Sequence, residues 1–242
     1  MQSVDLVIPC YNEERVLAES VGKLQAWAAA HLPYKWRVVI ADNASTDGTL
    51  AVAQRLAADD PDGVAVVHLD RKGRGRALKK AWLESTADAM CYMDVDLSTD
   101  LAMITPLLAG VLEEGYGVAY GSRLSRASEI KRSLKREINS RGYITLIKLL
   151  FRTKFSDAQC GFKAISRDAA QRLLPLVQDG EWFFDTELLI LAERGGYRLK
   201  EVPVKWVEDP DSRVKFPQDI IKMARQLVRL RLRRAAMRAP GR

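Results

Sequence analysis

The 242-residue chain is 48% hydrophobic, enough to bury a full core, and its length falls at the upper end of what one α/β domain uses. A formal charge of +7 points to an anionic partner without deciding between nucleotide, nucleic acid and phospholipid surface. Three scattered cysteines (Cys10, Cys91, Cys160), with only His31 and His68 to join them, argue against a zinc site and suit a reducing, cytoplasmic setting. No basic leader precedes the first apolar run, and no run is long enough to cross a bilayer, so any membrane contact is expected to be peripheral.

In chain order, strands are predicted at Val4–Ile8, Trp36–Ala41, Val64–Leu69 and Met90–Met93. Between them Val16, Leu17, Val21, Leu24 and Ala28, then Leu50, Ala53, Leu56 and Ala57, recur at helical spacing. This alternation is that of βαβ units around a mostly parallel sheet. The segment Ser122–Arg141 is rich in Arg and Lys and poor in large apolar residues, and reads as a mobile basic loop. Further strands are expected at Gly117–Tyr120, Phe162–Ser166 and Leu199–Val207, with a helix over Asp185–Arg194 and a basic helical tail from Pro217. Without repeats or low-complexity linkers, residues 1–216 are read as one domain and 217–242 as an amphipathic helix that belongs to it or touches a membrane.

In sheets of this kind ligands bind beyond the carboxyl ends of the strands, and those ends are polar here. The first runs Ile8-Pro9-Cys10-Tyr11-Asn12-Glu13-Glu14: Pro9 is expected to stop the ladder, Tyr11 to offer a ring for a base, and Asn12 to cap the next helix. The second, Asp42-Asn43-Ala44-Ser45-Thr46-Asp47-Gly48, carries a carboxylate suited to a ribose or base edge, with Ser45 or Thr46 as a cap. The third, Arg71-Lys72-Gly73-Arg74-Gly75-Arg76, has two glycines that would let backbone approach a diphosphate flanked by cations. It is not a dinucleotide fingerprint, because Leu78 stands where a third glycine belongs and the loop follows the third strand. The fourth ends in Asp94-Val95-Asp96. On an extended chain these carboxylates share a face, and hard oxygens at that spacing suit Mg²⁺ or Mn²⁺ carrying a diphosphate. The pairs Asp60/Asp62 and Asp209/Asp211 repeat the spacing but flank prolines.

Together these four motifs resemble the family 2 glycosyltransferases, with Asn43 and Ala44 departing from the commoner Asp-Asp-Gly-Ser pattern. Gly121-Ser122-Arg123, the segment Ser156-Asp157-Ala158-Gln159-Cys160-Gly161-Phe162-Lys163, Glu181-Trp182-Phe183-Phe184-Asp185-Thr186-Glu187 and Glu201-Val202-Pro203-Val204 are similar to the dolichyl-phosphate glucosyltransferase and mannosyltransferase branch. The resemblance, which reaches to about Lys215, implies a GT-A fold and inverting transfer of a hexose from UDP-glucose or GDP-mannose to a polyprenyl phosphate. It places Pro9, Tyr11, Asn12, Glu13, Asp42, Asn43, Asp47, Lys72, Gly73, Gly75, Arg76 and Asp94 around the nucleotide sugar. It further implies that Asp94 and Asp96 hold the metal, that Arg123, Arg126, Arg136 and Asp157 meet the acceptor, and that Arg213 closes on the diphosphate. Where relatives often carry Gln two residues after the second Asp, Ser98 stands here.

The acceptor also follows from the residues. A phosphate monoester, with a second pKa of about 6, is already largely ionised at neutral pH and needs cations more than a base. Arg123, Arg126, Lys131, Arg132, Lys135, Arg136 and Arg141 supply them, whereas a hydroxyl acceptor would call on Asp157 or Asp185. The apolar residues of Tyr143–Phe151 and of the tail (Ile220, Met223, Leu227, Leu230) suit either packing on the sheet or lying in a bilayer interface, with Lys222, Arg225, Arg229 and Arg231 meeting anionic lipid. No nucleic-acid module is recognisable, so nucleic acid is not an expected partner. Two rivals remain: a transferase for a sugar or protein hydroxyl, and a non-enzymatic nucleotide-binding module at the membrane surface.

Overall fold

The computed structural model describes residues 1–131, 134–207 and 218–233, giving only backbone at 131, 134–136, 207 and 218–221. Short, largely apolar runs, several of them buried on both faces, form the central strands: β1 (Ser3–Cys10), β2 (Lys35–Asn43), β3 (Val64–Leu69), β4 (Ala89–Met93), β5 (Val118–Ser122), β7 (Phe162–Ser166) and β8 (Leu199–Pro203). They make one sheet of seven in the order β3-β2-β1-β4-β7-β5-β8. All neighbours are parallel except β7, which runs antiparallel to β4 and β5. This is the mostly parallel α/β sheet expected. Alternation sorts β1 between two cores: Leu6 and Ile8 face one layer, Val7 the other.

Helices α1 (Leu17–His31), α2 (Thr49–Asp59) and α4 (Ile104–Leu112) cover the first face. Helices α3 (Arg74–Glu84), α5 (Leu134–Phe151), α6 (Arg167–Leu173), α7 (Phe184–Arg194) and α8 (Gln218–Leu232) cover the second. There Trp82, Tyr92 and Phe184 are fully buried, their rings 5.6 and 6.2 Å apart. Helix α8 buries Leu227 and Leu230 in this same core.

Several local expectations are corrected. The basic segment after Ser122 is not a loop throughout: Glu129–Lys131 forms β6, and α5 begins at Leu134. Leu, Lys, Arg and Glu are good helix formers, and they extend the apolar half of α5 by a polar half without apolar periodicity. The strand expected over Leu199–Val207 divides at Val204, and its second part, β9 (Lys205–Val207), pairs with β6 in a separate two-stranded sheet. Pro203, which lacks an N–H, ends the first part. Pro9 does not stop the β1 ladder to β2, which continues through Pro9↔Ala41 and Cys10↔Asp42; only pairing to β4 ends earlier, at Val7.

Candidate active site

The parallel strands end along one edge of the sheet, and the start of antiparallel β7 joins them there, since Met93 pairs with Phe162. The polar segments after β1, β2, β3, β4 and β5, and the start of α7, therefore converge.

On the β1–β3 side, loops are cross-tied by side chains. Asn12, in the left-handed region at φ 56°, caps no helix. Its Oδ1 accepts from Thr46 N at 2.8 Å, and Asn12 N donates to Ser45 Oγ at 3.0 Å, so all three residues join the first two strand ends. Neither Ser45 nor Thr46 caps α2; Asp47 Oδ1 accepts from Thr49 N at 3.0 Å instead. Glu13 N donates to Thr49 Oγ1 at 2.7 Å. Asn43 is buried and accepts from Gly73 N, which pins the glycine loop to β2. Lys72 Nζ sits 3.3 Å from the Tyr11 ring centroid, so a ring face expected to receive a base carries a cation.

The two glycines serve protein packing. A Cβ on Gly73 would lie 2.5 Å from both Arg76 Nε and Gly180 O, and one on Gly75 would lie 2.5 Å from Phe184 Cβ. Their missing side chains admit Arg76 and α7, which corrects the expectation of a bare backbone cradle. Arg76 itself pairs with Glu181 at 2.9 Å and donates to Lys72 O.

Asp42 is wholly buried. His68 Nδ1 lies 2.7 Å from its Oδ2, whereas Oδ1 has no hydrogen-bond partner. A shielded carboxylate oxygen without a donor loses its hydration uncompensated, and a ligand N–H or O–H would restore it.

At the end of β4, Asp94 and Asp96 lie in a turn closed by Leu97 N donating to Asp94 O at 3.1 Å, with Leu97 at φ 50°. The extended geometry expected for this pair is thus replaced by a turn. Asp94 remains 43% exposed and Asp96 is exposed, its Oδ1 accepting from Ser98 N at 3.0 Å. A Cβ on Gly161 would fall 2.0 Å from Asp94 Oδ2, so only glycine there leaves the carboxylate its place. Among the described residues no group of three or more His, Cys, Asp or Glu is placed to hold a metal ion. Two accessible carboxylates do fit a Mg²⁺- or Mn²⁺-type cation whose other ligands are substrate phosphate and water.

Beside Asp94 stands a buried ionic network that patterns of strands and helices did not reveal. Arg74 reaches Asp94 at 2.7 Å and Asp185 at 2.9 Å, and Lys163, fully buried, reaches Asp185 at 3.0 Å. Tyr92 Oη donates to the same Asp185 oxygen. Burial works to raise the Asp185 pKa, but Lys163 and Arg74 outweigh it and hold the carboxyl below its ordinary value. Arg74 also lies over the Trp182 ring at 5.3 Å. The signal for this network was Lys163 inside the apolar run Phe162–Ile165: a charge on a central strand requires a counter-ion.

On the β5 side, Arg123 is committed to Asp157 through Nε at 2.8 Å and Nη2 at 3.1 Å. Burial again works against ionisation, yet the Arg123 charge and its hydrogen bonds bring the Asp157 pKa down from 3.8 to about 2. Arg126 is exposed. The Arg136 side chain and all of Arg213 lie outside the described residues.

The chain belongs to glycosyl transferase family 2, whose pattern matches residues 5–174, and its class is that of a glycosyltransferase enzyme. It is 38% identical to glycosyltransferase AglD of Haloferax volcanii over 93% of its own length, but spans only 36% of that protein. It is 27% identical to a dolichyl-phosphate beta-glucosyltransferase of Saccharomyces cerevisiae over 95% of this chain and 74% of the relative. Among solved structures, glucosyl-3-phosphoglycerate synthase of Mycobacterium tuberculosis bound to UDP superposes with a TM-score of 0.67 at 21% identity, covering 99% of this chain and 82% of the synthase. Other structures of that synthase contain Mn²⁺ or Mg²⁺ with UDP. At this identity the likeness establishes the GT-A fold.

Proposed function

We propose that the chain transfers a hexose from a nucleoside diphosphate sugar to a polyprenyl phosphate at a membrane surface. The observation that carries the choice of acceptor is the state of its buried acids. Asp157 and Asp185, the carboxylates available to deprotonate a hydroxyl, are both saturated by cations and held below the ordinary carboxylate range. A general base works best with a pKa near the working pH, and neither meets that condition. An acceptor that arrives ionised removes the need. The name of the dolichyl-phosphate beta-glucosyltransferase relative points the same way.

In this reading Asp42 Oδ1 accepts an N–H from the donor base, with Asn12, Glu13, Asn43 and Asp47 shaping that pocket and Lys72 and Tyr11 at its mouth. Asp94 and Asp96 would hold the divalent cation, which when bound supplies positive charge to the departing diphosphate. Arg74 is placed to follow the charge on phosphate, because the carboxylates it now bridges sit at the same end of β4. Arg126, Arg136 and Arg213 remain proposed cationic contacts to the two phosphorylated substrates. The oxygen of the acceptor phosphate attacks the anomeric carbon in line, so the stereochemistry inverts.

Access to a lipid is supported by α5 and α8. Leu146 and Leu149 are exposed on α5 beside Lys148 and Arg152, and Val228 and Leu232 on α8 beside Arg225 and Arg231, while Ile144, Ile147, Leu227 and Leu230 pack inward. Each helix thus packs by one side and leaves an apolar and basic side outward, the composition that suits a bilayer interface. Among the described residues no helix is long and apolar enough to cross a membrane.

The test is to incubate the purified protein and a nucleotide sugar with polyprenyl phosphate or with the corresponding free alcohol. Glycosylation of the phosphate alone is expected; glycosylation of the alcohol would favour the hydroxyl-acceptor rival.

A further inference from the structure

A concavity lined by neither Asp94 nor Asp42 lies where α8 meets the loop that precedes α7. It encloses about 260 Å³ and shares no lining residue with the carboxylate turn. Cations enter it from three separate parts of the chain: Arg71 after β3, Arg76 on α3, and Lys222 and Arg229 on α8 with Arg233 just past its end. Two are neutralised, Arg76 by Glu181 and Arg233 by buried Glu187. Arg71, Lys222 and Arg229 make no ion pair with any described residue, and the remaining acid of the lining, Asp179, spends an oxygen on Glu181 N at 2.8 Å.

The position of Arg76 is built. It threads between Gly73 and Gly180, where a Cβ on the latter would lie 2.7 Å from Arg76 Cγ and Nη1. Its Nε is closed to solvent and has no hydrogen-bond partner. With five cations against three acids in its lining the hollow keeps an excess of positive charge, and it is too small for a nucleotide sugar but sufficient for a phosphate group.

We propose that this hollow is a second anion site, selective for a phosphate monoester, formed only when α8 is docked on the core. The shared chemistry is a dianionic phosphate, whether from a lipid headgroup at the surface that α8 would touch or from a soluble phosphate. Occupation would tie α8 to the loop that carries Trp182 and leads into Asp185, and so would couple docking of α8 to the order of the active-site edge.

The test uses the full chain. Inorganic phosphate is titrated against chloride of equal ionic strength, with binding read by calorimetry and thermal shift, for wild type, for Lys222→Ala with Arg229→Ala, and for the charge-matched pair Arg225→Ala with Arg231→Ala. All four residues are exposed on α8, and circular dichroism without ligand reports that each variant is folded. The first pair is expected to weaken phosphate binding roughly tenfold or more and the second to leave it within about twofold. Co-sedimentation with phosphatidylcholine vesicles containing phosphatidic acid separates the sources. Because Arg225 and Arg231 also face the bilayer in the reading above, the arms are compared on vesicles with and without phosphatidic acid at matched negative charge: a loss specific to phosphatidic acid for the first pair assigns the site to lipid phosphate, and no such specific loss assigns it to the soluble anion. Wild-type binding no stronger than that of chloride, or equal effects of the two pairs on phosphate, would overturn the proposal.

Discussion

The two ends of the sheet treat buried carboxylates differently. On the β5–β7 side, Asp157 and Asp185 are each surrounded by cations and hydrogen-bond donors, and every oxygen is used. On the β2 side, Asp42 is more deeply buried than either, yet one oxygen is left without a donor. An acid saturated by its own protein holds structure, whereas an acid left incomplete in a water-excluded place is kept for something that binds. In the function proposed above, the β1–β3 edge would receive the hydrogen-bond donors of the nucleotide, and the β4–β7 edge would manage phosphate charge.

That contrast is open to direct attack. The largest effect is expected at the turn between the two sides: Asp96→Ala should cut transfer by about 10³-fold or more while circular dichroism shows an intact fold. Unchanged metal-dependent turnover would remove the turn from the site. Next, Asp157→Asn should leave Arg123 buried without its counter-charge and cost about 3 kcal/mol of stability, read by urea unfolding. The sign with pH follows from its lowered pKa. The ion pair stabilises fully above the unfolded value of 3.8 and is lost as pH falls toward about 2, so the substitution should flatten acid unfolding across that window.

By contrast, Asp42→Asn should act on binding, weakening whichever of UDP or GDP the wild type holds by about tenfold to a hundredfold in calorimetry. Were Asp42→Asn to destabilise the fold while leaving nucleotide affinity alone, and Asp157→Asn to do the reverse, the distinction between the two sides would fail. The smallest effect is expected at the surface: Leu149→Asp should reduce vesicle co-sedimentation a few-fold without changing the melting temperature, since Leu149 is 76% exposed.

Much of this arrangement was readable before any coordinates. The βαβ alternation, the polar strand ends and the acidic pair after β4 depend on local patterns, which a single sequence displays. What was hidden depends on contacts between distant segments. Gly73 and Gly75 look like a ligand cradle locally, but their space is claimed by Gly180 and Phe184, more than a hundred residues on. Arg74 appeared as one cation among several, because only the approach of α7 makes it the bridge between Asp94 and Asp185. The polar first half of α5 carried no apolar period and so read as loop. In the sequence His68 stands out only as a candidate metal ligand, whereas its β3 position opposite Asp42 is what gives it a partner.

The most direct measurement is the pH dependence of kcat/KM for transfer to a polyprenyl phosphate. With no enzyme carboxylate acting as base, the rate should rise through the second ionisation of the acceptor near pH 6 and stay level above about pH 7. A further rise above neutrality would reveal a base on the protein and contradict the account.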